Sequence, residues 1–123
     1  MFSKVDLHIH TNFSDGFHSP IEVINFVAKK KISVISITDH DTIDGIKETI
    51  SVALDYGIEV IPGIELSSEL DEKEIHILGY FIDIENLELK TKLKFFKEGR
   101  TKRAEKIVDN LNNVGVNISF SDV

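Results

Sequence analysis

Short apolar runs rich in β-branched residues alternate along the chain with stretches of helical periodicity. The apolar runs predict four strands, at about residues 4–11, 32–38, 58–66 and 75–82. The intervening stretches predict three helices, one that begins at Pro20 and two at about residues 43–56 and 87–113. This alternation is typical of an α/β fold built from parallel strand–helix–strand units.

Local signals indicate where some of these elements begin and end. Ser19 and Glu22 predict a capping box at the start of the first helix. The apolar stripe of that helix is predicted to consist of Ile21, Ile24 and Val27. Residues 69–74 are expected to form an acidic, solvated loop, and residues 116–119 either a short strand or a connection to a further element.

The chain is short for the fold that this pattern predicts. It has 123 residues, whereas a closed βα barrel has about 250, so four strands and three helices make roughly half of one. An open half-sheet leaves an unpaired strand edge. We therefore expect residues 1–123 to be a truncated part of one domain, completed by a missing C-terminal half or by self-association. Within it, about residues 1–84 carry the strand–helix units and about 85–114 form a long basic helical stretch.

Composition excludes several classes of function. Lys and Arg total 14 against 21 for Asp and Glu, a net charge of −7, so any polyanionic substrate must be held by metal ions or by a few placed cations. The absence of cysteine excludes disulfides, thiolate ligands and a cysteine nucleophile. No apolar run approaches the roughly 18 residues of a membrane span and no signal-peptide core is present, so we expect a cytoplasmic protein with no membrane partner.

The first predicted strand places two histidines side by side. Side chains alternate between the faces of a strand, so His8 and His10 share one face, while Val5, Leu7 and Ile9 share the face that helices are expected to cover. Two neutral imidazoles aimed at one point have the geometry of a metal chelate. A hydrogen-bonded surface pair is the alternative for a single His-x-His.

Ligand-type side chains recur close to the ends of the other predicted strands. They are Asp15, His40, Glu65 and His76. The carboxyl ends of parallel strands converge on the binding site of α/β folds. These four side chains are therefore predicted to line one cleft together with His8 and His10.

Other interpretations stay open for individual residues. Asp15 is also a turn residue, and His76 is alternatively a buried core histidine. His18 is either a solvated loop residue or a substrate contact. Asp39 is predicted to orient a histidine rather than to bind metal, and Thr42 to cap the following helix.

The chemistry of these side chains indicates a metallohydrolase. Without thiolates, a mixed imidazole and carboxylate site suits Zn, Mn or Fe. Two-metal phosphate ester hydrolysis uses ions about 3.5–4 Å apart to activate water and to stabilise the departing oxygen. On this interpretation two divalent ions are bound and Glu65 bridges them. No glycine-rich phosphate loop and no Gly-x-Ser-x-Gly elbow competes with it.

Four segments resemble the first motifs of the PHP (polymerase and histidinol phosphatase) domain family. They are DLHIHTNFSDG at 6–16, TDHDT at 38–42, PGIE at 62–65 and HILGY at 76–80. Members of this family are distorted βα barrels of seven strands with a trinuclear metal centre, and they hydrolyse phosphate esters. The FSDG segment is similar to the branch of small phosphoesterases that act on nucleotides and short oligonucleotides.

The resemblance implies that the six ligands hold three metal ions. The implied sets are His8, His10 and Glu65 for one ion, Glu65 and His76 for a second, and Asp15 and His40 for a third. Catalytic roles are expected for Glu65, His8 and His40. The family completes its centre with later histidines, and this chain has none after His76. We therefore expect the 123 residues alone to bind metal weakly and to turn over slowly or not at all.

The predicted third helix adds a candidate substrate contact. Eight basic residues lie between Lys90 and Lys106, against two acidic ones. Arg100 and Arg103 are three residues apart, so they could clamp a phosphate from one helical face, and a solvated helix face is the alternative.

The leading interpretation is a metal-dependent phosphoesterase acting on nucleotides or nucleic acid ends. The competing ones are a non-catalytic PHP module, as in a polymerase, and an amidohydrolase-like metallohydrolase.

Overall fold

The computed structural model describes residues 4–122. In chain order its elements are β1 (Lys4–Ile9), α1 (Pro20–Lys29), β2 (Ile32–Ile37), α2 (Ile46–Leu54), β3 (Glu59–Leu70), β4 (Lys73–Tyr80), α3 (Leu87–Asn113) and a 3-10 turn (Phe120–Asp122). The chain divides after Asn86 into two compact units. The sheet, α1 and α2 belong to the first unit, and α3 and the 3-10 turn to the second. Between residues 4 and 122, no helix has the length and apolar character needed to cross a membrane.

The four strands form one sheet in the order β1-β2-β3-β4. β1 and β3 both pair in parallel with β2, and α1 and α2 are the crossovers between them, as the alternating pattern predicted. The long strand β3 has two partners. Residues 59–62 pair with β2, and residues 63–70 pair with β4. β3 therefore links the parallel part of the sheet to its antiparallel edge.

β4 runs antiparallel to β3, so the pattern of parallel strand–helix–strand units does not extend to this strand. Residues 69–74 are not a loop, because pairing continues as far as Leu70 and Lys73. The hairpin closes through Asp71 and Glu72, which have φ angles of 49° and 62°. Two successive left-handed residues are what a type I′ hairpin turn requires. The turn contains neither Gly nor Asn, the residues that usually indicate a type I′ turn. Its acidic sequence is therefore typical of a loop.

α1 and α2 pack on the sheet around one apolar core. Its buried members are Val23, Ile24, Val27, Ile35, Ile37, Ala53 and Ile58. The predicted capping box is present, because Ser19 N donates to Glu22 Oε2 at 2.8 Å and Glu22 N donates to Ser19 Oγ at 3.4 Å. The predicted stripe is wrong at Ile21, which is 49% exposed. Val23 lies with Ile24 and Val27 on the buried side of the helix instead.

α2 begins three residues later than predicted because residues 41–45 form turns. Asp41 has a φ of 52°, and Thr42 Oγ1 accepts a hydrogen bond from Asp44 N at 3.2 Å. Gly45 occupies the N-cap position of α2 and makes no side-chain cap. Thr42 therefore stabilises the turn before the helix, and the prediction that it caps α2 is wrong.

β1 is an edge strand of the described sheet, and its apolar face is only partly covered. Ile9 packs against the core, whereas Val5 is 52% exposed and Leu7 is 37% exposed. α1 packs on β2 and α2 packs on β3, one and two strands further into the sheet. The prediction that helices cover all three apolar residues of β1 is therefore wrong for Val5 and Leu7.

A hydrogen bond across the sheet shows that the sheet curls. Tyr80 at the end of β4 donates from its hydroxyl to Leu7 O of β1 at 2.9 Å. In a flat sheet, three strand spacings of about 4.8 Å would separate these strands by about 14 Å, further than a tyrosine side chain reaches. The outer strands therefore bend toward each other, as strands do in a barrel.

The second unit consists of α3 and the segment that follows it. Gly115 has a φ of 91° just after the helix, a backbone conformation that glycine adopts without strain. Asn112 Nδ2 donates to Ile118 O at 2.8 Å and holds this segment against the end of α3. Residues 116–119 are irregular and lead into the 3-10 turn, so the predicted short strand does not form there.

Candidate metal centre

The carboxyl ends of the three parallel strands are joined by backbone hydrogen bonds. Thr38 N donates to Ile9 O at 2.8 Å, just beyond β1 and β2. Asp41 N donates to Glu65 O at 3.0 Å, and Glu65 N donates to Asp39 O at 3.2 Å. The second pair of bonds extends parallel pairing beyond β2. It places His40 directly beside Glu65.

Four histidines surround the buried carboxylate of Glu65. His8 Nε2 and His10 Nε2 lie 2.9 and 2.7 Å from Glu65 Oε2, and His40 Nε2 lies 3.7 Å from the same oxygen. His76 Nδ1 lies 3.0 Å from Glu65 Oε1. Three strands and the segment after β2 therefore each contribute to one cluster. His76 is 37% exposed in its side chain, so it is not the buried core histidine of the alternative interpretation.

Asp15 joins the cluster from the loop after β1. Its Oδ1 lies 2.8 Å from His10 Nδ1, and its Oδ2 lies 3.7 Å from His40 Nε2. Gly16 N donates to Thr11 O at 2.9 Å and folds the loop back on the end of the strand. A Cβ at Gly16 would lie 2.6 Å from both the carbonyl carbon and the carbonyl oxygen of His10. Only glycine fits there, so the close approach of Asp15 depends on Gly16.

The carboxylate of Asp39 holds the same loop by accepting hydrogen bonds from its hydroxyl and amide groups. Its side chain is buried, and it accepts hydrogen bonds from Thr11 N and Thr11 Oγ1 at 2.7 Å each. Ser14 Oγ donates to it at 2.6 Å. The sequence predicted that Asp39 orients a histidine. These partners instead give it the role of fixing the backbone that carries Asp15.

The imidazoles keep both carboxylates of the cluster ionised. Burial raises the pKa of Glu65, but the hydrogen bonds and charges of the neighbouring histidines, His8 first, outweigh burial and lower that pKa below its usual range. Burial likewise raises the pKa of Asp15, and the hydrogen bond and charge of His10 lower it by more. The cluster therefore offers two carboxylate anions to a cation at neutral pH.

The donor set fits divalent cations. Among residues 4–122 there are three groups of side chains, and within each group the ligand atoms all lie within 4.8 Å of one another. The groups are His8, His10 and Glu65; His10, Asp15 and His40; and His40, Glu65 and His76. His8 Nε2 and His10 Nε2 lie only 3.2 Å apart beside one carboxylate oxygen. Converging imidazole nitrogens and carboxylate oxygens form the mixed set that suits Zn, Mn or Fe.

The predicted candidates for a substrate contact are all exposed. His18 is exposed, and its Nδ1 lies 4.0 Å from Glu22 Oε2 on the first turn of α1. Arg100 and Arg103 lie about one turn apart on α3, in the second unit, and both are exposed. They remain candidates for a substrate contact on the strength of their charge alone.

One contact of the cluster was not predicted. Glu74 Oε1 lies 3.0 Å from His76 Nε2, on the side of the ring away from Glu65. The hydrogen bond with Glu74, together with the charges of Glu65 and Glu74, raises the pKa of His76 above its usual value although burial opposes the change. The signal was the Glu-x-His spacing in β4, because alternate residues of a strand share a face.

Residues 6–117 match the model of the PHP domain family. This chain belongs to that family. The match includes every member of the cluster and all of α3, and it confirms the resemblance that the motifs of the four strands indicated.

Two relatives with named activities are similar over nearly the whole chain. A 5′-3′ exoribonuclease from Haemophilus influenzae is 38% identical over 116 residues, which are 94% of this chain and 42% of the relative. A 3′,5′-nucleoside bisphosphate phosphatase from Chromobacterium violaceum is 34% identical over 114 residues, which are 93% of this chain and 40% of the relative. The chain thus spans about two fifths of the length of these relatives.

Two solved structures share the fold of this chain. A protein from Chromobacterium violaceum, described as an amidohydrolase with bound sulfate, superposes with a TM-score of 0.87 at 34% identity and covers 97% of this chain and 42% of its own. A candidate metal-dependent phosphoesterase from Bifidobacterium adolescentis gives 0.82 at 25% identity, covering 90% and 39%. The predicted α/β fold, part of a PHP barrel with mostly parallel strands, is confirmed.

Proposed function

We propose that the protein carrying this chain is a metal-dependent phosphoesterase that hydrolyses phosphate esters of nucleotides or short oligonucleotides. The observation that carries the proposal is the convergence of four histidines on the buried carboxylate of Glu65. The names of the two relatives, an exoribonuclease and a nucleoside bisphosphate phosphatase, support the substrate class. We further propose that it acts in the cytoplasm, where nucleotides and RNA ends are produced.

The metal ligands are proposed to be the six residues of the cluster. They are His8, His10, Asp15, His40, Glu65 and His76. They would hold two or three divalent ions, of Mn, Zn or Fe. Such ions would act as Lewis acids toward phosphate oxygens and would lower the pKa of a water nucleophile. Glu65 belongs to two of the three ligand groups, so it is the residue best placed to bridge two ions.

The catalytic roles follow from this placement. Catalytic roles are proposed for Glu65, His8 and His40, because His8 Nε2 and His40 Nε2 lie 2.9 and 3.7 Å from the same oxygen, Glu65 Oε2. Asp39 fixes the loop that brings Asp15 to the cluster. The chain thereby preorganises the charges that a phosphoryl transition state needs, which is the main source of catalysis in such sites.

Substrate binding is proposed to involve the basic helix and a part of the protein outside this chain. Arg100 and Arg103 carry planar guanidinium groups that bind phosphate through two parallel hydrogen bonds. Their partner would be the phosphate of a small molecule or of a nucleic acid end. The remaining part of a barrel, or a second copy of the chain, is proposed to complete the site.

The test joins this chain to the remaining three fifths of the Haemophilus influenzae exoribonuclease and assays the product with Mn²⁺. Substrates are a nucleoside 3′,5′-bisphosphate, a 5′-phosphorylated RNA and an amide. We expect phosphate ester hydrolysis that falls by about 100-fold or more in His8→Ala, since loss of groups that merely support metal ligands already costs 10–100-fold. Lys73→Ala, on the exposed hairpin, is the control and is expected to leave the rate unchanged.

Two outcomes would contradict the proposal. Equal phosphate ester hydrolysis by the His8→Ala variant would show that the cluster does no chemistry. Hydrolysis of the amide in preference to both phosphate esters would favour the second candidate function, an amidohydrolase, which the description of the Chromobacterium violaceum structure supports. Circular dichroism of each variant establishes that the compared proteins are folded.

A further inference from the structure

His76 lies between two carboxylates. Its Nδ1 is 3.0 Å from Glu65 Oε1, and its Nε2 is 3.0 Å from Glu74 Oε1. A neutral imidazole carries one ring proton, so one nitrogen donates and the other keeps a lone pair. The carboxylate that accepts the hydrogen bond from this N–H therefore decides which nitrogen of His76 can bind a cation.

The register of the β3–β4 hairpin produces this arrangement. His76 is paired with Ser67, and Glu74 is paired with Glu69. Residues two apart on a strand share a face, so Glu74 lies on the same face as His76, while Glu65 lies on the diagonal two residues before Ser67. A shift of the register by one residue would move this whole set to the opposite face.

We propose that Glu74 is a positioning residue of the metal centre. It accepts a hydrogen bond from Nε2–H of His76 and leaves the lone pair of Nδ1 to bind a cation beside Glu65. The inference rests on the proposed function, because it assumes that the cluster binds metal. Metal-binding histidines commonly donate their second ring N–H to a carboxylate or a carbonyl, which fixes the tautomer and strengthens the ligand. Glu74 is the acceptor that the geometry offers to His76 in this role.

Glu74 is expected to contribute little to the stability of the fold. Like charges directly opposite in an antiparallel pair repel, and Glu74 stands opposite Glu69 in the exposed part of the hairpin. An exposed ion pair such as the one between Glu74 and His76 also contributes little to folding. The expected effect of removing it is therefore on metal affinity rather than on the stability of the fold.

The test measures Zn²⁺ affinity of the 123-residue chain by competition with a chromophoric chelator. Glu74→Ala is expected to bind Zn²⁺ about 10-fold more weakly than the unchanged chain. Glu69→Ala is the matched control, since it removes the same charge from the opposite strand, and its affinity is expected to change by less than about 2-fold. Glu74→Gln is expected to lie between, because its amide oxygen still accepts a hydrogen bond from Nε2–H of His76.

A second readout follows the ring proton itself. In the zinc-loaded chain, ¹⁵N NMR of His76 is expected to show the proton on Nε2 and the metal on Nδ1. In Glu74→Ala the Nε2 proton loses its acceptor, so its resonance is expected to broaden through exchange with water. A loss of affinity caused by misfolding would not move this signal selectively, and circular dichroism of the variants checks the fold.

The outcomes separate this inference from the proposed function. If the unchanged chain binds no Zn²⁺, the positioning role is overturned, whereas the proposed function is decided by the activity of the completed protein. If it binds Zn²⁺ and Glu74→Ala binds it as tightly as Glu69→Ala does, the metal site stands and the positioning role is overturned. A proton on Nδ1 of the zinc-loaded His76 would also overturn the positioning role.

Discussion

Gly63 connects the two parts of β3, two residues before Glu65, and it is predicted to tolerate no side chain. A Cβ at Gly63 would overlap Ser36 Oγ and would lie 2.9 Å from Thr38 Cγ2 and 3.0 Å from Ile37 O. The last contact is with a backbone carbonyl, which cannot rotate away. β2 and β3 must therefore move apart to accommodate alanine.

The expected cost follows from two opposing effects. Overpacking of this kind destabilises by about 1–3 kcal/mol, and replacing glycine with alanine recovers about 0.4–1 kcal/mol from the unfolded chain. Gly63→Ala should therefore lower the free energy of unfolding by about 1–2 kcal/mol. Ser36 is fully buried, and its hydroxyl has no hydrogen-bond partner among the described residues, so Ser36→Ala alone should cost less than about 0.5 kcal/mol.

The double variant tests the reasoning. Ser36→Ala removes the most severe overlap, so the two substitutions together should recover about 1 kcal/mol relative to the sum of their separate effects. Urea unfolding of the metal-free chain measures all four free energies, with the slopes compared to check that unfolding stays two-state. If Gly63→Ala is as stable as the unchanged chain, or if the two effects are additive, the close approach of β2 and β3 at this point is refuted.

Two further predictions concern the loop after β1 and the charges of the cluster. Asp39→Asn keeps the shape of the side chain but loses the ionised acceptor of three hydrogen bonds, so urea unfolding should show a loss of about 1–3 kcal/mol; a loss below about 0.5 kcal/mol would contradict the account of this loop. In the metal-free chain, the pKa of Glu65 is lowered. The stability that ionised Glu65 gives the folded chain is therefore complete above the ordinary carboxyl pKa of about 4.3 and is lost as the pH falls. The pKa of His76 is raised. The stability that protonated His76 gives the folded chain is therefore complete below about pH 6.5 and is lost as the pH rises. The melting temperature should therefore be highest between about pH 5 and 6, and a melting temperature that still rises from pH 6 to 8 would contradict this assignment.

The cluster around Glu65 could be predicted from the sequence because its members stand at the ends of strongly apolar strands. His8 and His10 alternate with apolar residues of β1, and His40 and Glu65 follow the buried parts of β2 and β3. In such strands the apolar period leaves little freedom of register. The polar residues at the strand ends are therefore brought together by the same burial that forms the sheet.

The antiparallel edge could not be predicted in the same way. Asp71 and Glu72 adopt left-handed conformations without the glycine or asparagine that usually indicates them. Without that signal, the turn between β3 and β4 looks like an acidic loop, and the direction of β4 is lost with it. The role of Asp39 was missed for a related reason, since its partners are backbone and hydroxyl groups of residues 11 and 14, which a search for histidine partners does not reveal.

The number of Zn²⁺ ions bound per chain tests the central claim most directly. Equilibrium dialysis against excess Zn²⁺, which compensates for the weak binding expected of these 123 residues, compares the unchanged chain with two variants. They are Glu65→Gln, in which the shared carboxylate is removed, and Glu59→Gln at the first residue of β3. The account predicts two or more ions for the unchanged chain and for Glu59→Gln, and at most one for Glu65→Gln, because Glu65 belongs to two of the three ligand groups. Equal zinc content in Glu65→Gln and the unchanged chain, or no zinc in either, would contradict a metal centre built around Glu65.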